Sequence, residues 1–218
     1  MFVGHFALGF AAKRAVPRVS LGLLFAAAQL ADVLWPVLVG AGLEHVVIDP
    51  GNTAFTPLDF VSYPYSHSLV LLIVWGVLFG AAYRAVTHRN GRTFGVLAAL
   101  VVSHWVLDAI THRPDMPLYP GGPKVGLGLW NSMGATIVIE LAMYAAGVWI
   151  YMSVTRARDA VGRWAFGGLA VFLVLAYAAN ILGGPPPSVT ALWISAIPAS
   201  LLLLWWSAWA DRHRAPVP

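Results

Sequence analysis

The chain has 218 residues, of which 59% are hydrophobic and only 10% charged, with a formal net charge of +4 and no cysteine. A water-soluble domain is typically about a quarter charged, so the composition excludes one and points to an all-α, polytopic membrane protein. The missing cysteines exclude disulfides and thiolate metal sites and leave His, Asp and Glu as the strong metal donors.

The first element is a short apolar stretch at 2–14, within MFVGHFALGFAAKRAVPRVS. Its apolar part precedes its basic residues, the reverse of a signal peptide, so it reads as a retained helix. It is too short to span a bilayer and must tuck against protein. Six longer apolar segments follow at about 20–42, 67–87, 93–111, 133–155, 162–182 and 188–210. The expected architecture is therefore one short N-terminal helix plus about six transmembrane helices in a single domain over 1–218. Residues 1–155 carry the polar residues and long loops, and 156–218 add further spans and a cytoplasmic tail.

The basic residues fall in clusters between these segments: Lys13, Arg14 and Arg18; Arg84, Arg89 and Arg92; Arg156, Arg158 and Arg163; Arg212 and Arg214. If each segment crosses once, all four clusters lie on one side. That pattern is a topology signal rather than a nucleic-acid footprint, and it places the clusters and the C-terminus in the cytoplasm. The opposite loops, 43–66, 112–132 and 183–187, hold two bases, Arg113 and Lys124. The first two of these loops mix Pro, Gly, Tyr and Trp, which favours fixed turns over disorder. The tail HRAPVP is expected to fray, and His45, His88 and His213 read as solvated. Ser66 reads as an N-cap for the helix after it, and Asn131 and Ser132 as caps for the next.

Six polar residues sit inside the spans or at their ends: His5, Asp32, His67, His104, Asp108 and Glu140. Each costs free energy in hydrocarbon and marks a functional site unless partnered. At 1.5 Å rise per residue, Asp32 lies roughly 21 Å from Arg18, His104 roughly 18 Å from Arg92, and His67 roughly 25 Å from Arg84. With a hydrocarbon core of about 30 Å, all six can meet in the outer half. His104 and Asp108 are four residues apart and share a helix face. Imidazole plus carboxylate suits Zn²⁺ or another divalent transition metal, and a cation would keep buried carboxylates ionised.

GHFALG (4–9), LADVLWP (30–36), YSHSLV (65–70) and SHWVLDAITH (103–112) together resemble the YdjM-like family. These are bacterial inner-membrane proteins described as metal-dependent hydrolases. The order His, Asp, His, HxxxD is also similar to the zinc-dependent phospholipase C and nuclease superfamily. The resemblance implies one metal on Asp32, His67, His104 and Asp108. It implies a second on His5 and Asp108 with the Met1 backbone, Asp108 bridging the two. A third metal lacks its HxxxE. The chain has one acid, Asp32, where YdjM-like sequences carry Pro-Asp-x-Asp, and Tyr-Ser-His-Ser where Arg-Gly-x-His-Ser is common.

The implied function is a membrane-embedded, zinc-type hydrolase with one or two ions, acting on a phosphoester or phospholipid at the outer face. Glu140, His112 and Asp115 are the candidate proton carriers. Arg113 and Lys124 are the candidate anion contacts. Two other readings use the same residues: an ion-coupled transporter or channel, and a non-catalytic scaffold. A transporter needs polar groups in the inner half as well, and Gln29, Asn180, Ser195 and Ser200 supply few.

Overall fold

The computed structural model describes residues 1–88 and 91–217; Arg89 lies outside them. Among the described residues the helices are α1 (Val3–Ala12), α2 (Leu21–Ala28), α3 (Leu30–Gly40), α4 (Pro64–His67), α5 (Leu69–Thr87), α6 (Gly91–Thr111), α7 (Met133–Val154), α8 (Ala160–Leu182) and α9 (Val189–Arg212). Five of them, α5 to α9, are long and apolar enough to cross a membrane. The chain is a polytopic membrane protein.

The expected continuous span at 20–42 is broken. α2 and α3 meet at 58°, and Gln29 between them has φ −107° and ψ 11°, outside the helical region. Pro36 stands inside α3, so the Asp32 carbonyl has no amide four residues on to bond. Counted as one bent span, the pair brings the total to six. Broken helices at membrane depth persist where protein or a cavity surrounds the freed backbone.

α1 is sheathed as its length demands. Val3, Gly4, His5, Phe6, Ala7, Gly9 and Phe10 are all buried. Phe10 makes edge contacts with Phe25 of α2, Tyr144 and Tyr151 of α7 and Phe166 of α8, at 4.8 to 6.0 Å between centroids. α1 comes this close to α7 because position 147 is glycine. A Cβ there would stand 2.5 Å from the Ala7 carbonyl oxygen, which real side chains do not tolerate. α5 and α6 approach in the same way at Gly76 and Gly80, whose Cβ positions face the Ala98 carbonyl and Phe94 at 2.8 Å. The outward faces of α5 and α9 present Val74, Val77, Leu78, Leu201, Leu202 and Trp205, all exposed.

Basic residues of the clusters between spans gather at one end. Lys13 Nζ reaches Asp211 Oδ2 at 2.5 Å and the Val19 carbonyl at 2.8 Å. Arg18 and Arg92 line one cavity there. The tail does not fray: β6 (Arg214–Pro216) pairs antiparallel with β5 (Thr155–Ala157), so its backbone groups are bonded. Arg214 stacks over Phe166 at 4.6 Å. His213 is not merely solvated, because its Nδ1 pairs with Asp159 Oδ2 at 2.7 Å.

At the opposite end the long loops form two hairpins, β1 (His45–Ile48) with β2 (Leu58–Ser62), and β3 (Met116–Pro117) with β4 (Lys124–Val125). Ser132 caps α7 by accepting from Ala135 N at 3.4 Å. Asn131 instead closes a 3-10 turn at Leu129–Asn131.

Candidate functional site

His5 of α1, Asp32 of α3, His67 of α4, and His104 and Asp108 of α6 come together between the bent span and the helices beside it. His5, His104 and Asp108 bring one ligand atom each within 4.8 Å of one another, and so do Asp32, His67 and His104. Asp108 faces both groups. Its Oδ1 lies 3.0 Å from His5 Nε2, and its Oδ2 lies 3.1 Å from His104 Nε2 and 3.8 Å from His67 Nε2. Asp32 Oδ1 lies 3.5 Å from His67 Nε2 and 3.6 Å from His104 Nε2. The rings of His5 and His104 stack, 3.8 Å apart and 4° from parallel. The Met1 amino group is 2.5 Å from Asp108 Oδ1 and 3.3 Å from Thr111 Oγ1.

The proton positions on two imidazoles follow from their partners. His104 Nδ1 is 2.8 Å from the Ala28 carbonyl, which can only accept. Nδ1 therefore carries the hydrogen, and Nε2 of the neutral ring carries a lone pair. Nε2 is buried without a hydrogen-bond partner. His67 Nδ1 is 2.7 Å from Ser66 Oγ, and that hydroxyl is 2.6 Å from Glu44 Oε2. The carboxylate accepts from the hydroxyl, so the hydroxyl accepts from His67, and again Nε2 is left with a lone pair. Two imidazole lone pairs and two carboxylates thus converge, within 3.1 to 3.8 Å, with no donor between them. The Met1 ammonium answers Asp108 Oδ1, but the atoms facing one another across the centre repel unless a further cation holds them. Its nitrogen and oxygen donors suit zinc or a similar divalent ion. The orphaned His104 Nε2 is the atom that fits best. His5 Nε2 faces the Asp108 carboxylate at 3.0 Å and so carries the hydrogen, which leaves the lone pair on Nδ1, an atom also buried without a partner.

His112 and Asp115 are brought together at the mouth. His112 Nδ1 is 2.9 Å from Asp115 Oδ1, which Tyr63 also approaches with its hydroxyl at 2.7 Å. Burial holds the His112 imidazole below its ordinary value, against the upward pull of the Asp115 hydrogen bond. Burial and the Asp115 charge push the Tyr63 phenol well up, which keeps it a donor. Trp130 and Phe60 wall the ring, at 4.2 and 4.9 Å between centroids.

Three expected site residues are employed otherwise. Glu140 lies on α7 with Oε2 accepting from Phe2 N at 2.8 Å and Gly4 N at 3.2 Å. It holds the start of α1, and through it His5, and no contact ties it to the ligand side chains. Arg113 is ion-paired with Asp59 and reaches Asp115 Oδ2 at 3.4 Å. Lys124 Nζ donates to the Val61 carbonyl at 2.9 Å. Both bases tie the second outer loop to β2, and Lys124 remains exposed with donors to spare. Ser66 does not cap a helix but sits between Glu44 and His67. Glu44 and Tyr63, which complete these networks, had no local spacing to link them to the ligands.

An uncharacterized membrane protein of Haemophilus influenzae is 26% identical over 186 residues, 77% of this chain and 43% of the relative. The chain thus spans less than half of that relative's length. No family model matches, and no solved structure matches.

Proposed function

We propose that the chain is a metal-dependent hydrolase of the YdjM-like kind, embedded in a bacterial inner membrane with its site toward the outer face. Its basic end would face the cytoplasm by the positive-inside rule. The observation that carries the reading is the convergence of His104 Nε2, His67 Nε2, Asp32 Oδ1 and Asp108 Oδ2 without a donor among them. Asp32, His67, His104 and Asp108 would hold one divalent ion, and His5 with Asp108 would hold a second. Such an ion supplies Lewis acidity toward a phosphoryl or ester oxygen and toward water.

The chain's own residues would do the rest. Ala28 and the Ser66–Glu44 pair fix the two imidazoles, so the donor set is preorganised. His112, its Nδ1 pinned to Asp115, keeps Nε2 free to take a proton or give one to a leaving oxygen. Phe60 and Trp130 keep bulk water from that ring. The substrate class is a phosphoester, and the site's depth favours one carried on a lipid.

The rival reading makes both imidazoles positively charged, each donating to a carboxylate in an ion relay with no metal. Elemental analysis of detergent-purified protein separates the two. Wild type should carry one or two zinc-like ions per chain, lost in His104→Ala and Asp108→Ala, together with hydrolysis of bis(p-nitrophenyl) phosphate. A wild type purified without chelator that binds no zinc, even on addition, would sink the hydrolase and leave the relay.

A further inference from the structure

At the basic end, the link between α1 and α2 and the first turn of α6 flank a cavity of about 260 Å³. Its walls are Ala15 to Val19 from the link, and Arg92 and Thr93 from α6. Val16, Val19 and Thr93 are buried, whereas Arg18 and Arg92 are exposed. The link is a set of fixed turns. Val16 N bonds the Ala12 carbonyl at 3.1 Å, and Val19 N bonds the Val16 carbonyl at 3.0 Å. Buried Lys13 clamps the same link through the Val19 carbonyl at 2.8 Å. Two guanidiniums from separate elements thus share one cavity whose backbone is held in place.

The carboxylates of this end are engaged elsewhere. Asp211 accepts from Lys13, from Leu21 N and from the Tyr151 hydroxyl. Asp159 accepts from His213 and from Gly162 N. Among the described residues no carboxylate forms an ion pair with Arg18 or Arg92. The two acids also answer helix starts, Asp211 that of α2 and Asp159 that of α8. The first turn of α6 holds no acid, so the partial positive charge of that helix end adds to the two guanidiniums. Such a site takes an anion, and arginine forks match the oxygens of a phosphate. Size and place narrow the choice. Sites that enclose a whole small ligand run to roughly 300–1,000 Å³, so this smaller cavity suits one phosphate group whose remainder stays outside. Arg18 stands just before α2, and Arg92 lies in the first turn of a span, which is headgroup level.

We propose that this cavity binds the phosphate of an anionic phospholipid from the leaflet at the basic end, its acyl chains remaining in the bilayer. Arg18 and Arg92 donate to the phosphate oxygens, and the bound lipid ties the α1–α2 link to the start of α6. α1 carries His5, and α6 carries His104 and Asp108. Occupancy therefore stabilises the packing of the helices that bear those side chains without touching them. The lipid is a bound effector at the end opposite the hairpins, not a substrate, and the site does not depend on the hydrolase reading.

The test titrates dioleoyl phosphatidylglycerol into the delipidated chain in detergent. Bound lipid is read by native mass spectrometry, with the thermal midpoint and bound zinc measured in parallel. Lipid binding should raise the midpoint. Arg18→Gln and Arg92→Gln should each weaken binding about tenfold, the loss of one charge-assisted contact. Both positions are exposed, so the lipid-free midpoint and bound zinc should stay as in wild type. Arg163→Gln removes an exposed base of the same end that lies outside the cavity, and it should leave binding unchanged. Equal weakening in Arg163→Gln would show a diffuse charge effect and overturns the proposal. Phosphatidylcholine bound as tightly as phosphatidylglycerol overturns it too, because its ammonium offsets the phosphate charge. Inorganic phosphate that displaces the lipid, and raises the midpoint as far at the same concentration, gives the cavity to a free phosphate and removes the lipid. Lipid binding that needs Arg18 and Arg92 in a wild type without zinc leaves this site standing and removes the hydrolase.

Discussion

His104 Nδ1 lies 2.8 Å from the carbonyl of Ala28, the last residue of α2 before the bend at Gln29. The break in the span and the orientation of a candidate ligand are thus one feature. The bend presents a backbone acceptor, and the acceptor fixes which imidazole nitrogen faces Asp32 and Asp108. A backbone anchor cannot be deleted by side-chain exchange. The equivalent anchor on His67 can, because Ser66 and Glu44 supply it through side chains.

Ser66→Ala should therefore weaken metal binding about 10- to 100-fold, the usual effect of removing a partner behind a ligating imidazole. Glu44→Gln should weaken it as well, since an amide has one acceptor oxygen where the carboxylate uses two, Oε2 for the Ser66 hydroxyl and Oε1 for the Tyr65 and Ser66 amides. Competition with a graded series of chelators measures both. Unchanged affinity in Ser66→Ala would show that His67 is held by packing alone, or is no ligand.

Gly147→Ala tests how closely α1 must approach α7. A methyl there meets the Ala7 backbone, and overpacking of this kind costs about 1–3 kcal/mol. The expected result is a lower thermal midpoint in detergent together with weaker metal binding, because α1 carries His5. A variant with lowered stability and full metal affinity would mean that His5 contributes nothing to the site.

Much of this was legible in the sequence, and the reasons differ by element. Span number followed from apolar length, and the common end of the clusters at Lys13, Arg92, Arg156 and Arg214 followed from their alternation with spans. That Asp32, His67, His104 and Asp108 come together was legible from their matching depth in the apolar segments. The bend at Gln29 was not legible: 20–42 is apolar throughout, and Pro36 lies seven residues past the break. The Arg113 and Lys124 pairings depend on how two hairpins fold onto each other, which no spacing encodes. Glu140 carried the right depth signal, but depth cannot separate a ligand neighbour from a carboxylate that holds a helix end. The tail pairing of 214–216 was hidden by two prolines, which suggest fraying although an edge strand accommodates them.

The role of Glu140 has its own discriminating pair. Glu140→Ala removes the acceptor of two amides, those of Phe2 and Gly4, and should cost about 1–3 kcal/mol. Glu140→Gln keeps an acceptor oxygen and should retain most of the stability and of the hydrolytic rate. If the rate collapses in Glu140→Gln while the thermal midpoint holds, Glu140 is a proton carrier and the anchoring role fails.

At the basic end the tail clamp should open in acid. The hydrogen bond from His213, with a second from Gly162 N, holds the Asp159 carboxyl below its ordinary value of 3.8. A carboxyl depressed in the folded chain contributes stability that is present above its unfolded value and lost as pH falls through the folded one. The pair lies at the surface, so the effect is local to the clamp and screened by salt. Protection of the amides at 155–157 and 214–216, taken as exchange relative to the intrinsic rate at each pH, should accordingly fall as the pH drops from about 5 to about 3, the window around and below the ordinary carboxyl value. Asp159→Asn should exchange faster than wild type at neutral pH and lose that pH dependence. An Asp159→Asn protein whose tail amides still lose protection in acid as in wild type would move the titrating group elsewhere.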